Sequence, residues 1–244
     1  MNRRAFLSAG AALALGACKK KEPAVKRTVE HSSHATVDFL ELVHPEPDPS
    51  LPLVVAIHAN GGAPEHWVEG FSKFPGRARI LLPRGYRRKN EGYEWFEWPL
   101  TNDLASTKLA MDVSLAEERL AKAIAARVGQ GGRVAVTGYT EGAILAFVLA
   151  KRKELVLGAF GIAGACPVPL YPKSNAAPIV AYHGTKDDVF AINAARATVA
   201  AYKTAGGEAT LREYAEGHSP SDKMHEDLDA DIVKALEAAR SPSR

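Results

Sequence analysis

The sequence predicts an α/β domain, a mostly parallel central sheet with helices on both faces, and three observations lead there. Short apolar runs alternate with longer amphipathic stretches from about His34 to the C-terminus. Several runs are apolar without a break, Val54-Val55-Ala56-Ile57 and Val134-Ala135-Val136 among them. Strands buried on both faces read this way, because helices cover each side of a parallel sheet. The chain's 244 residues, 46% apolar and 24% charged, suit one well-packed domain and exclude disordered, collagen-like and disulfide-scaffold classes.

In chain order, residues 1–17 read as a signal peptide: Asn2-Arg3-Arg4 is a charged start, Ala5 to Leu15 an apolar run, and small residues follow. That run is shorter than the roughly 20 apolar residues a spanning helix needs. Arg3-Arg4-Ala5-Phe6-Leu7 resembles a twin-arginine export signal, and Leu15-Gly16-Ala17-Cys18 resembles a bacterial lipobox. The second resemblance implies that Cys18 is acylated and anchors the protein to the bacterial envelope on its extracytoplasmic, periplasmic side. Residues 18–33, Lys-rich and without apolar periodicity, are expected to be a solvated tether, and the folded domain is expected over residues 34–240. With Arg3 and Arg4 set aside, 29 basic face 28 acidic side chains, a near-neutral body that argues against a nucleic-acid partner. If Cys18 carries lipid, Cys166 has no partner for a disulfide and is expected to be a small buried side chain.

Strands are predicted at Ala35 to Leu42, Leu53 to His58, Ala78 to Leu82, Arg133 to Thr137, Leu157 to Ile162, Ile179 to His183 and Ala209 to Tyr214. A helix is predicted from Asp103 to Val128, because Leu109, Val113, Ala116, Leu120 and Ile124 recur at spacings of three and four. The next, Glu141 to about Lys151, is apolar nearly all round and is therefore expected at the centre of the molecule. Two more are predicted at Ala191 to Thr204 and Asp222 to Ala239, with Ser221 or Asp222 as cap of the last.

The strand ending at Thr137 runs into Gly138-Tyr139-Thr140-Glu141-Gly142 and at once into the buried helix. Glycines at the first and fifth places allow a sharp strand-to-helix turn that pushes the central residue outward. The pentad resembles the nucleophile elbow of the α/β-hydrolase superfamily, and the resemblance extends over roughly residues 35 to 240. His183-Gly184-Thr185-Lys186-Asp187-Asp188 looks like that superfamily's acid loop, which implies Asp187 as the triad acid with Asp188 as competitor. Gly217-His218 looks like its turn carrying the base. His58-Ala59-Asn60-Gly61-Gly62 resembles the loop that supplies half of an oxyanion hole, which implies main-chain N–H donors at Asn60 and Glu141. Pro83-Arg84-Gly85 and Tyr93-Glu94-Trp95-Phe96 are similar to segments of the phospholipase/carboxylesterase branch, which has little or no lid. His58, Trp95 and Phe96, with Trp98, are then candidates for the pocket wall, or are core and rim aromatics.

The central residue of the elbow is Thr140 where the superfamily has serine. Its hydroxyl could still pass a proton to His218, with Asp187 holding the imidazole tautomer. Its methyl sits badly at an elbow, where positive φ disfavours β-branched residues. Two readings follow: an ester hydrolase with a Thr140–His218–Asp187 relay acting on small acyl esters, or an inactive hydrolase-fold lipoprotein that binds a small ligand or an envelope protein. No cofactor and no metal is expected. His31-Ser32-Ser33-His34 has ligand-like spacing but lacks further donors nearby, and Gly129-Gln130-Gly131-Gly132 precedes a strand, the wrong order for a dinucleotide loop.

Overall fold

Each apolar run becomes a strand of one sheet. The computed structural model describes residues 24–31, 36–44, 50–98, 103–128 and 132–240. In chain order the elements are β1 (Ala24–His31), β2 (Thr36–His44), β3 (Leu53–Ile57), a 3-10 turn (Pro64–Trp67), α1 (Val68–Ser72), β4 (Ala78–Pro83), β5 (Arg87–Lys89), β6 (Gly92–Glu94) and α2 (Thr107–Val128). There follow β7 (Val134–Tyr139), α3 (Glu141–Leu149), β8 (Val156–Ile162), β9 (Ile179–Gly184), α4 (Ile192–Thr204), β10 (Ala209–Tyr214) and α5 (Asp222–Arg240). Eight strands lie in the order β1-β2-β4-β3-β7-β8-β9-β10, and β5 and β6 form a separate hairpin. Pairing is antiparallel from β1 through β2 to β4 and parallel from β4 to β10.

The sheet buries two apolar layers. On one face Leu109, Val113, Ala116, Leu120 and Ile124 of α2, Ala143 to Leu149 of α3, and Val199 and Tyr202 of α4 pack together. On the other face α1 contributes Phe71, and α5 contributes Met224, Leu228, Ile232 and Leu236, one residue every fourth position. α3 is buried at all nine positions, as its composition predicts. The Ser221 hydroxyl accepts the Met224 N–H and caps α5. The buried Glu41 carboxylate on β2 accepts from Arg79 on β4 at 2.6 Å and from Arg127 at the end of α2, tying these two strands to that helix.

Three parts of the expected organisation change. β1 lies inside residues 18–33, expected as tether, and pairs with β2 from Ala24↔Val43 to His31↔Thr36. Its Lys26, Arg27 and Glu30 hide it from a hydrophobicity reading, and charged residues are what a sheet edge tolerates. α2 begins at Thr107 instead of Asp103. The short α1 and the β5–β6 hairpin lack the apolar periodicity that would announce them. The signal peptide, Cys18 and His34 lie outside the described residues. Among the described residues no helix is long and apolar enough to cross a membrane.

Candidate active site

β3 and β7 are neighbours in the sheet, with Ile57 opposite Gly138, although 81 residues separate them. The chain leaves β3 toward one edge of the sheet and leaves β7 toward the other. Their carboxyl ends therefore bound the crevice where α/β sheets bind ligands.

Thr140 stands at this crevice, between β7 and α3, with φ of 50° and ψ of −107°. Such a conformation costs a non-glycine residue about 1–3 kcal/mol. The surroundings enforce it: the Thr140 N–H donates to Ile162 O at 3.0 Å, and its carbonyl accepts from Ile144 N at 3.0 Å. Gly142 is required by close approach, because a Cβ there would lie 1.9 Å from Ile57 O. Among the described residues the Thr140 hydroxyl has no hydrogen-bond partner.

The acid loop follows β9 and the histidine loop follows β10, and the two are laced by Thr185 N to Tyr214 O at 2.7 Å and Lys186 N to Glu216 O at 2.8 Å. Gly184 permits the contact, since a Cβ there would lie 2.1 Å from Gly217 O. His218 Nδ1 sits 2.9 Å from Asp187 Oδ2 and 3.0 Å from Oδ1, so the opposite ring nitrogen, Nε2, points away from the acid. The Asp187 carboxylate is buried and also accepts the Val189 and Phe190 N–H groups at 2.9 and 2.8 Å. Asp188 is exposed, so Asp187 is the residue that geometry pairs with His218. The Tyr139 hydroxyl donates to His218 O at 3.1 Å and steadies the histidine loop from behind.

His183 is a neighbour that sequence reasoning passed over as a mere motif letter. Its Nε2 donates to Phe190 O at 2.7 Å and lies 3.2 Å from Asp187 Oδ2, while its Nδ1 is buried without a partner. Burial holds its pKa below the ordinary imidazole value and keeps it neutral. Asp187 is thus flanked by two imidazoles.

Across the crevice the loop after β3 is pinned by the β5–β6 hairpin: Gly61 N donates to Tyr93 O at 2.9 Å, and Tyr93 N to Gly62 O at 2.8 Å. The main-chain N–H groups of Asn60 and Glu141 have no partner among the described residues. Their side chains join each other, with Asn60 Nδ2 donating to Glu141 Oε1 at 2.6 Å, and Trp95 N donates to Glu141 Oε2 at 3.3 Å. Burial pushes the Glu141 carboxyl up to about 7, against the opposing pull of those two donors.

Asn60, Thr140, Glu141 and His218 share a cleft of about 290 Å³, walled by Trp98, Val189 and Phe190. His58, Trp95 and Phe96 do not wall it. They are 1%, 2% and 3% exposed and lie behind it. His58 Nδ1 donates to Ala59 O at 2.7 Å, its Nε2 accepts from Gly85 N at 2.9 Å, and Trp95 Nε1 donates to His58 O at 2.9 Å. His58 and Trp95 brace the loop after β3, Phe96 packs in the core beside Trp98, and of these candidates Trp98 alone reaches the cleft, edge-on to Phe190. Cys166 is a free thiol, fully buried, and burial raises its pKa to about 12. Among the described residues no cluster of three or more His, Cys, Asp or Glu could hold a metal ion.

An α/β-hydrolase is what this sheet order defines, with its elbow at the end of β7. More narrowly, the chain belongs to the dienelactone hydrolase family, whose model matches residues 42–240. No curated protein matches it. Among solved structures it is similar to the Bacillus cereus carboxylesterase, with a TM-score of 0.67 and 17% identity over 86% of this chain and 94% of that one. A carboxylesterase from Mesorhizobium loti gives a TM-score of 0.67 and 17% identity over 86% and 98%. Acyl-protein thioesterase 2 from Zea mays gives a TM-score of 0.63 and 17% identity over 76% and 94%.

Proposed function

We propose that the protein hydrolyses small carboxylic esters through a Thr140–His218–Asp187 relay. The observation that carries this reading is the pairing of His218 Nδ1 with buried Asp187 at the rim of a cleft whose floor holds the elbow residue Thr140. The Thr140 Oγ1 attacks the ester carbonyl as its proton passes to His218 Nε2. The carbonyl oxygen, now an alkoxide, is met by the free N–H groups of Asn60 and Glu141. Collapse of the tetrahedral intermediate expels the alcohol, which takes the proton from His218. A water molecule then attacks the acyl-threonine with His218 as base, releasing the carboxylic acid and restoring the hydroxyl. Asp187 keeps the Nδ1–H tautomer and stabilises the imidazolium formed at each step. Family membership and the carboxylesterases among the structural neighbours support the reaction class.

A second reading has its own observation. The elbow carries a β-branched residue at positive φ, and its hydroxyl is not hydrogen-bonded to His218. On this reading the cleft binds a small ligand or an envelope partner without turnover. Ester hydrolysis by the native chain that disappears in Thr140→Ala supports the first reading; activity gained only in Thr140→Ser supports the second.

We further infer that the domain is tethered by lipid at Cys18 to the extracytoplasmic face of the bacterial envelope, on the strength of the lipobox-like Leu15-Gly16-Ala17-Cys18. Metabolic labelling with an azido fatty acid tests this: label is expected on the native chain and lost from Cys18→Ala.

A further inference from the structure

Residue 141 follows the elbow residue directly and has two parts with different places. Its main-chain N–H opens onto the cleft, while its carboxyl turns back to the Asn60 amide at 2.6 Å and the Trp95 N–H at 3.3 Å. Asn60 also has a main-chain N–H at the cleft without a partner among the described residues. The two candidate oxyanion donors, separated by 81 positions in sequence, are therefore joined through their own side chains.

The carboxyl is enclosed. Glu141 is 2% exposed. The charged groups around it are Glu94, which opposes its ionisation, and Lys89, which favours it. Glu94 is already held by Arg87 at 3.3 Å and Lys89 at 3.0 Å, so neither cation is reserved for Glu141. His58, beneath Trp95, is kept neutral by burial. His218 stands in the same cleft with Nδ1 committed to Asp187. An ionised Glu141 thus places a negative charge, weakly compensated, beside the point where the alkoxide forms.

Resting on the esterase reading, we propose that Glu141 is a positioning residue that sets the separation of the two oxyanion donors and switches them with its charge. The bond to Asn60 persists in both states. A carboxylate accepts from the amide nitrogen, and a carboxylic acid donates to the amide oxygen once the amide turns over. What changes is the field at the alkoxide: the neutral acid leaves the N–H donors unopposed, and the carboxylate repels the developing charge in a poorly screened site. Turnover is then favoured on the acid side of Glu141's titration, which burial has moved to about 7, and falls as the pH rises through it.

The test is the pH profile of kcat on a neutral aryl acetate for native, Thr140→Ser, Glu141→Gln and Thr140→Ser/Glu141→Gln chains, each checked for folding by circular dichroism. In the Glu141 chains kcat is expected to fall about tenfold or more from pH ~6.5 to pH ~9. In the Glu141→Gln chains the descending limb is expected to vanish whatever their absolute rate. With Trp67→Phe made in every chain, because Trp67 lines a separate pocket with His66 and His225, the fluorescence of Trp95 and Trp98 is expected to change near pH 7 only where Glu141 is present. A descending limb that survives Glu141→Gln overturns the proposal while leaving the esterase intact. Absence of turnover in both the native and Thr140→Ser chains removes the esterase reading and this role with it.

Discussion

His218 Nδ1 lies 2.9 Å from Asp187 Oδ2 although 31 positions separate the two residues, and it makes no hydrogen bond to the neighbouring, exposed Asp188. The choice between adjacent aspartates follows from where the loop points them. Asp187 is turned inward and held by two main-chain N–H groups. Asp187→Asn is expected to lower kcat by about 10⁴-fold, because an amide no longer fixes the Nδ1–H tautomer. Asp188→Asn is expected to leave kcat within about twofold. Steady-state kinetics of both variants on one ester check the pair.

Trp98 and Phe96 separate the cleft wall from the layer behind it. Phe96 is 3% exposed, so Phe96→Ala is expected to cost about 3–5 kcal/mol of stability in urea unfolding. Trp98→Ala is expected to raise KM for esters with bulky acyl groups several-fold with little change in the unfolding midpoint, since Trp98 is half-buried and faces the cleft.

Gly142→Ala is expected to cost more than about 4 kcal/mol. The added carbon would lie 1.9 Å from Ile57 O, and neither backbone can yield without breaking the β3–β7 register. Thermal unfolding checks it, with an apparent midpoint far below the native value or no cooperative transition at all.

Burial lowers the pKa of His58 from 6.5 to about 4. The folded state therefore prefers the neutral ring, and the stability this provides is complete above pH 6.5 and drains away as the pH falls toward 4. The loss amounts to about 3 kcal/mol. His58→Gln keeps an acceptor for Gly85 N and cannot titrate. The advantage of the native chain over His58→Gln is expected to shrink by about that amount between pH ~7 and pH ~4, measured by urea unfolding at each pH.

The strands facing the core and the stripes of α2 and α5 are legible because burial on a regular element imposes a period on the apolar residues. The elbow, the acid loop and the Gly-His turn are legible because each needs particular residue types at fixed spacing. β1 is hidden by its charges, and the β5–β6 hairpin by its brevity. Whether His58, Trp95 and Phe96 stand on the wall or behind it was open in the sequence, where an aromatic on a wall and an aromatic behind it read alike. His183 beside Asp187 and the Glu141–Asn60 bond were out of reach, because each depends on which way a side chain turns in a loop. The glutamate next to the elbow residue was the available signal for the latter: a carboxyl at the head of a wholly apolar helix must find a partner or stay protonated.

The most direct test of the central claim is the rate of p-nitrophenyl acetate hydrolysis by the native, Thr140→Ser and Thr140→Ala chains, purified side by side. Measurable turnover is expected in the native protein, a faster rate in Thr140→Ser as the strained methyl is removed, and none above background in Thr140→Ala. Hydrolysis undiminished in Thr140→Ala, or seen only in Thr140→Ser, would contradict a threonine nucleophile in this protein.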